Sequence, residues 1–222
     1  NTAGAGGTGA MHTMTDAYRR IAPWYDRLLD PFIRSWRARG LDLFNPGKGA
    51  AVLEVGCGTG AQLAYYRAHG CRATGIDMSS AMLGVARARL GDRPGICRGD
   101  GARLPYPDGS FDLVLASLVL HEIDPGTRPA VLEDMARVVR PEGRIGIIDY
   151  HPLPKRTVKG WGTRLLMRGI ERSAGRRHYA NYRHFLTTGG IFPPVKRLGL
   201  IVEDLKRASG GNIGIYRLRR GA

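Results

Sequence analysis

The sequence predicts an α/β protein: a doubly wound, mostly parallel seven-stranded sheet with helices on both faces and an antiparallel C-terminal strand. N-terminal helices and a helical lid insertion complete the expected architecture. Three observations carry this. Short apolar runs alternate five times with helical stretches between residues 51 and 150, the pattern of a parallel sheet covered on both faces. The first run, Ala51 to Val55, opens into glycines at alternate positions, Gly56, Gly58 and Gly60, and then into a helix. The last third ends in two strand-like runs joined around Ser209-Gly-Gly-Asn212, a hairpin signal.

Taken in order, residues 1–13 read as an expression remnant outside the fold, with Gly/Ala/Thr filler from Asn1 to Ala10 before Met11, and 14–222 read as one domain. Asp16 to Phe44 reads as one or two covering helices with Pro23 as a break. After the first strand come a helix from Ala61 to His69, a second strand from Cys71 to Ile76 ending in Asp77, and a helix from Ala81 to Leu90 capped by Ser79 or Ser80. A short strand near Ile96 to Arg98 precedes Gly99-Asp100-Gly101. The turn Leu104 to Ser110 leads into a strand from Phe111 to Leu118. Pro129 to Val139 is an amphipathic helix, Pro141-Glu-Gly143 a turn, and Arg144 to Tyr150 an apolar strand. His151 to Thr188 is helical and basic, and the final strands are Ile201 to Lys206 and Ile213 to Leu218.

The glycine loop can turn sharply and press its backbone on a ligand, since glycine tolerates positive φ and carries no Cβ. A strand, such a loop and a helix N-terminus form a nucleotide-type binding corner. The loop alone also fits the relaxed dinucleotide fingerprint, with Asp77 at about the place of its ribose acid.

Composition narrows the class. No uninterrupted apolar run approaches the ~18 residues of a membrane span, and the N-terminus lacks the charged-then-apolar build of a signal peptide. Cys57, Cys71 and Cys97 are widely spaced and odd in number, so neither a disulfide frame nor a metal site is expected, and the expected compartment is the cytoplasm. Lys+Arg 34 against Asp+Glu 19 gives a net charge of +15, a surface that attracts nucleic acid or an anionic lipid face.

Four motifs in order are similar to those of the class I S-adenosylmethionine-dependent methyltransferases, in their ubiquinone/menaquinone-biosynthesis-like (methyltransferase type 11) group. They are Val52-Leu-Glu-Val-Gly-Cys-Gly-Thr-Gly60, Gly75-Ile-Asp-Met-Ser-Ser80, Gly99-Asp100 with Leu104-Pro-Tyr-Pro-Asp-Gly-Ser-Phe-Asp112, and Arg140-Pro-Glu-Gly143. The resemblance implies a Rossmann-like fold and S-adenosyl-L-methionine as cofactor, leaving S-adenosyl-L-homocysteine as product. It implies that Gly56, Cys57, Gly58 and Gly60 contact the methionine and ribose part and that Glu54 orders that pocket. Asp77 would accept from the ribose hydroxyls, Asp100 from the adenine amino group, with Gly101 or Ala102 supplying backbone and Met78 packing on the ring. Ser117 would complete the pocket, and Tyr18 and Tyr25 would cover it from the N-terminal helices. Asp77 also stands where a helix cap would, Asp100 where a turn would, and Asp112 is read as structural.

Methyl transfer needs the nucleophile, methyl and sulfur aligned and water excluded. In open parallel sheets the pocket lies beyond the C-terminal strand ends. There Ser117-Leu-Val-Leu-His121 ends the fourth strand, and His121 is the candidate general base or acceptor-orienting group. The quinone C-methyltransferases of this group carry Arg-Asn where this chain has His121-Glu122. Between Lys155 and Phe185 stand nine Lys/Arg and one acid, Glu171. Arg164, Arg168 and Arg172 form one helical stripe, while Val158, Trp161 and Leu165, joined by Leu166 and Ile170, fall on another side. That pattern fits an interfacial helix on an anionic membrane and equally an ordinary docked lid.

The expected function is methyl transfer to a small-molecule or lipid-like acceptor, of quinol or phospholipid-amine type, in the cytoplasm or peripherally at the inner membrane face. The alternatives are a nucleic-acid methyltransferase and a non-catalytic nucleotide-binding domain. No Asn-Pro-Pro-Tyr-type base-amine motif follows the fourth strand, so nucleic acid is not the expected partner. The sequence carries no signal for oligomeric state.

Overall fold

The computed structural model describes residues 22–91, 95–152 and 158–221. Seven strands form one sheet: β1 (Ala51–Val55), β2 (Arg72–Asp77), β3 (Ile96–Arg98), β4 (Phe111–Ser117), β5 (Val139–Tyr150), β6 (Leu200–Ala208) and β7 (Ile213–Arg220). Their order is β3-β2-β1-β4-β5-β7-β6. β1 runs parallel to β2 and β4, β2 to β3, and β4 to β5, while β7 is antiparallel to both β5 and β6. The helices are α1 (Ala22–Phe44), α2 (Ala61–Ala68), α3 (Ser80–Leu90), α4 (Arg128–Val138), α5 (Val158–Ser173), α6 (Arg176–Thr187) and α7 (Phe192–Arg197). The core lies on both faces of the central strands, where Val52, Leu53, Val114, Ile145, Ile147 and Ile215 are buried. Strands β1 and β4 are neighbours although the chain leaves them in opposite directions, so a crevice opens beyond their carboxyl ends.

Local chemistry sets the element ends. Ser79 caps α3, its Oγ accepting from Met82 N at 3.2 Å. α1 is continuous from Ala22 to Phe44, with Pro23 its second described residue; the stretch before Ala22, on which the expected break at Pro23 depends, lies outside the described residues. The expected turn at Pro141-Glu-Gly143 is an excursion within one strand. β5 pairs Val139 with Phe111 and then resumes at Arg144 opposite Leu113. Gly143 permits the close return, since a Cβ there would meet Asp112 O at 2.8 Å. The C-terminal hairpin turns at Ser209–Gly211, with Ser209, Gly210 and Gly211 at φ of 50, 66 and 92°.

Asp112 ties the sheet together, accepting from Ala51 N at 2.7 Å and pairing with Arg140, so the start of β1 is anchored on β4. We expect Asp112→Ala to lower stability by about 1–3 kcal/mol, because it removes the acceptor of a part-buried amide. Urea unfolding with an unchanged m-value checks this.

Candidate active site

The loop after β1 holds Gly56, Gly58 and Gly60 at φ of 71, 51 and 72°. Gly56 also meets a space limit: a Cβ there would lie 2.4 Å from Val119 Cγ2. The loop is stitched to the end of β2, because Gly56 N and Cys57 N both donate to Ile76 O, at 2.8 and 3.1 Å. Asp77 completes the seam. Its Oδ2 accepts from Gly58 N at 2.8 Å and its Oδ1 from Ser79 N at 2.7 Å. Burial pushes the Asp77 carboxyl above the usual carboxylate range, against the pull of the Ser79, Gly58 and Met78 amides.

Beyond these strand ends lies a cavity of about 360 Å³. Its walls bring together Glu54, Gly56, Cys57, Gly58, Asp77, Met78, Asp100, Gly101 and Ser117, all singled out from the sequence. Asp100 Oδ1 accepts from Ala102 N at 2.9 Å, closing a tight turn that holds the carboxylate at the cavity edge. Gly60 and Ala102 are not in the lining. Gly60 sets the start of α2, where a Cβ would come within 3.0 Å of Ala86 Cβ and Leu90 Cδ1. Tyr18 lies outside the described residues, as does the side chain of Tyr25, whose backbone belongs to α1. α1 does wall the cavity, through Ile33 and Arg37.

His121 is not in the lining either. It is 2% exposed, turned inward at the foot of the loop after β4. Its Nδ1 lies 2.8 Å from Asp149 Oδ1 and its Nε2 3.5 Å from Glu171 Oε2. Burial works against its charge, but the Asp149 and Glu171 carboxylates outweigh burial and raise the imidazole well above its ordinary value. Both ring nitrogens face carboxylates behind the wall, and the ring itself does not line the cavity. The turn inward begins at Leu118, whose φ of 55° bends the chain immediately after β4.

Sequence reasoning missed Arg37, Thr59, Gln62, Glu122, Asp124 and Arg177 in the walls. They come from α1, α2, α6 and two loops, and no spacing links them. Buried Arg128 holds the loop that carries Glu122 and Asp124, its Nε donating to Leu120 O at 2.7 Å and its other guanidinium nitrogen to Ile123 O at 2.9 Å. Arg177 of α6 pairs with Asp124, and Asn181 Nδ2 donates to Glu122 O at 2.7 Å, so α6 is fastened to this same loop.

The glycine corner at the switch of a doubly wound sheet defines a nucleotide-cofactor protein. The charge of the cavity narrows the ligand: among the described residues five carboxylates, Glu54, Asp77, Asp100, Glu122 and Asp124, face two guanidinium groups, Arg37 and Arg177. Such walls suit a cation better than a pyrophosphate. The family described as "Methyltransferase domain" matches residues 53–147. A nocamycin O-methyltransferase of Saccharothrix syringae is 36% identical over 65% of this chain and 52% of its own length. A demethylmenaquinone methyltransferase of Renibacterium salmoninarum is 34% identical over 89% of this chain and 87% of its own length. The chain thus spans about half the length of the first relative and most of the second. A solved S-adenosylmethionine-dependent methyltransferase of Thermotoga maritima shares the fold, with a TM-score of 0.68, 18% identity and coverage of 93% and 99% of the two chains. This chain belongs to the class I S-adenosylmethionine-dependent methyltransferases, in their menaquinone/ubiquinone-like group.

The cavity fits that family's cofactor on its own evidence. Glu54 Oε2 is buried at the cavity wall with no hydrogen-bond partner among the described residues, an acceptor suited to an ammonium group. Burial pushes the Glu54 carboxyl well above the usual range, with Arg37 pulling it down and Asp77 adding to the rise. A carboxyl whose folded pKa is raised contributes stability below its unfolded pKa that is lost as pH rises through the folded value. We therefore expect the melting temperature of wild type relative to Glu54→Gln to fall between pH 5 and pH 8, as read by scanning calorimetry. A flat difference would show that Glu54 is ionised throughout.

Proposed function

We propose that residues 14–222 act as one methyltransferase domain that transfers a methyl group to an apolar, quinol-type small molecule reached from an anionic membrane surface. The observation that carries the acceptor class is the outer face of α5. Val158, Trp161, Leu165 and Leu166 are exposed there, Trp161 at 67%, with Ile170 at the edge. Met167 and Glu171 face inward instead, and exposed Arg168 and Arg172 flank the apolar strip. An apolar strip with a cationic rim is the surface that enters an anionic lipid interface. The relatives' names, one a demethylmenaquinone methyltransferase, support a quinone-type acceptor. Among the described residues no helix is long and apolar enough to cross a membrane.

The cofactor supplies a methyl group on a cationic sulfonium, already activated for displacement. The chain's own work is to bind, orient and exclude water. Asp77 spends one lone pair of each oxygen on Gly58 and Ser79, which leaves both oxygens able to accept from adjacent ribose hydroxyls. Asp100, with Oδ1 fixed by Ala102, presents its second oxygen to an adenine amino group, beside Gly101 and Met78. Gly56 and Gly58 let the backbone approach closely, and Glu54 takes the ammonium. At the acceptor end Asp124, held by Arg177 and Asn181, and Glu122 are the carboxylates that line the cavity.

Three measurements test this. Asp77→Asn should weaken S-adenosylhomocysteine binding in calorimetry about 10- to 100-fold, since a hydrogen bond to a charged group contributes roughly 1.5–3 kcal/mol. Unchanged binding would overturn the cofactor assignment. Wild type should partition onto phosphatidylglycerol vesicles, with a blue shift of Trp emission that salt reverses. Leu165→Ser/Leu166→Ser should lower that partition about tenfold or more, because each buried leucine contributes roughly 1.5–3 kcal/mol. In a labelled-methyl assay over lysate fractions, label in lipid supports the reading. Label confined to water-soluble metabolites or RNA overturns it.

A further inference from the structure

Behind the cavity, where the lid meets the sheet, His121, Glu171 and His178 converge. Their ligand atoms, His121 Nε2, a Glu171 carboxylate oxygen and His178 Nε2, all lie within 4.8 Å of one another. They come from three elements: the loop after β4, α5 and α6. Two of them have an outer partner of the kind that orients a ligand. Asp149 Oδ1 takes the His121 Nδ1 proton at 2.8 Å, which fixes the ring with Nε2 turned to the cluster. Tyr150 donates its hydroxyl to Glu171 Oε1 at 2.6 Å, which leaves Oε2 aimed at both imidazoles. Rings wall the pocket in: Tyr150 stands 4.7 Å from His121, Tyr182 at 6.2 Å and Phe185 at 6.5 Å.

We propose that His121, Glu171 and His178 form a binding site for a borderline divalent cation of the zinc class, which clamps the lid helices α5 and α6 onto the end of β4. Two imidazole nitrogens and one carboxylate oxygen are a donor set that zinc accepts in a three-ligand tetrahedral site with one position to spare. Ligand atoms about 2.1 Å from a tetrahedral ion lie about 3.4 Å apart, and His121 Nε2 and Glu171 Oε2 are 3.5 Å apart. The ion takes the place of the direct His178–Glu171 hydrogen bond. Glu122 Oε1 lies 3.9 Å from His121 Nε2, and Glu122 also lines the cavity. A 2+ ion would balance the two buried carboxylates, Asp149 and Glu171, with both imidazoles neutral. The site goes beyond the methyltransferase reading and does not depend on the acceptor's identity.

The test uses tag-free full chain, stripped with chelator and then dialysed against micromolar zinc. About one zinc per chain by elemental analysis, with a rise in melting temperature, is the expected result. Glu171→Gln and His178→Ala should each weaken zinc binding at least about 10- to 100-fold while circular dichroism stays unchanged. If either variant fails to fold, wild type loaded with cobalt(II) decides. Four-coordinate nitrogen/oxygen d–d bands without a thiolate charge-transfer band support the site, and a thiolate band assigns the metal to a cysteine and overturns it. Zinc uptake unaffected by both folded variants, or no uptake by wild type, also overturns it and leaves the three side chains as a hydrogen-bonded ion cluster.

Discussion

The carboxylate of Asp77 is the constraint on which the site depends. It stands at the last position of β2 and accepts one amide from the loop after β1 and one from the start of α3. Both amides would otherwise point into a part-buried space, and an unmet buried donor costs about 1–3 kcal/mol. One side chain thus fixes two loops relative to each other, and the Ile76 carbonyl seals the first of them from the other side. Gly56 and Gly75 are needed because this seam leaves no room for a Cβ. Gly75 on β2 faces Leu63 Cδ1 at 2.5 Å and Cys57 Cβ at 2.7 Å from where a Cβ would be. The cofactor wall is therefore preformed by strand pairing, without need of a ligand to shape it.

The opposite wall has a different origin. It is the loop between β4 and α4, which turns at Leu118 in the left-handed region and is held from behind by Arg128. The Arg128 guanidinium lies 4.9 Å over the Phe185 ring of α6, so the same cation that shapes the loop also seats the lid. Asn212 of the C-terminal hairpin adds a further tie, donating to Gly160 O of α5 at 2.7 Å. A disturbance of α5 or α6 therefore reaches Glu122 and Asp124 through hydrogen bonds already in place. That coupling runs through contiguous contacts between elements far apart in sequence.

This difference in origin explains what could be read from the residues. The sheet, its glycine corner and the convergence of Asp77 with Asp100 were legible because each is local: a strand, a turn and an acid at a strand end. The seam at Asp112 was legible as structural for the same reason. The inward turn of His121 was not, since it depends on Asp149 one strand away and Glu171 in the lid. Arg37 and Arg177 reach the cavity from helices at opposite ends of the chain, and no periodicity announces that.

The lid shows most clearly why a helical pattern does not fix function. The spacing in α5 separates an arginine stripe from an apolar one, and a docked lid would bury the apolar side. The structure buries Met167 and Glu171 instead. A lone glutamate can decide this because its alternatives differ so much in energy. Facing water, Glu171 would leave His121 and Asp149 to share the interior with Tyr150 and no second carboxylate. Facing inward, it meets two imidazoles and a hydroxyl, interactions that hold its carboxyl well below the usual range despite burial. Each apolar residue left outside forgoes roughly 1.5–3 kcal/mol of burial. The orientation of α5 is thus set from below by a polar cluster, and the apolar face it leaves outward is the cost of that cluster.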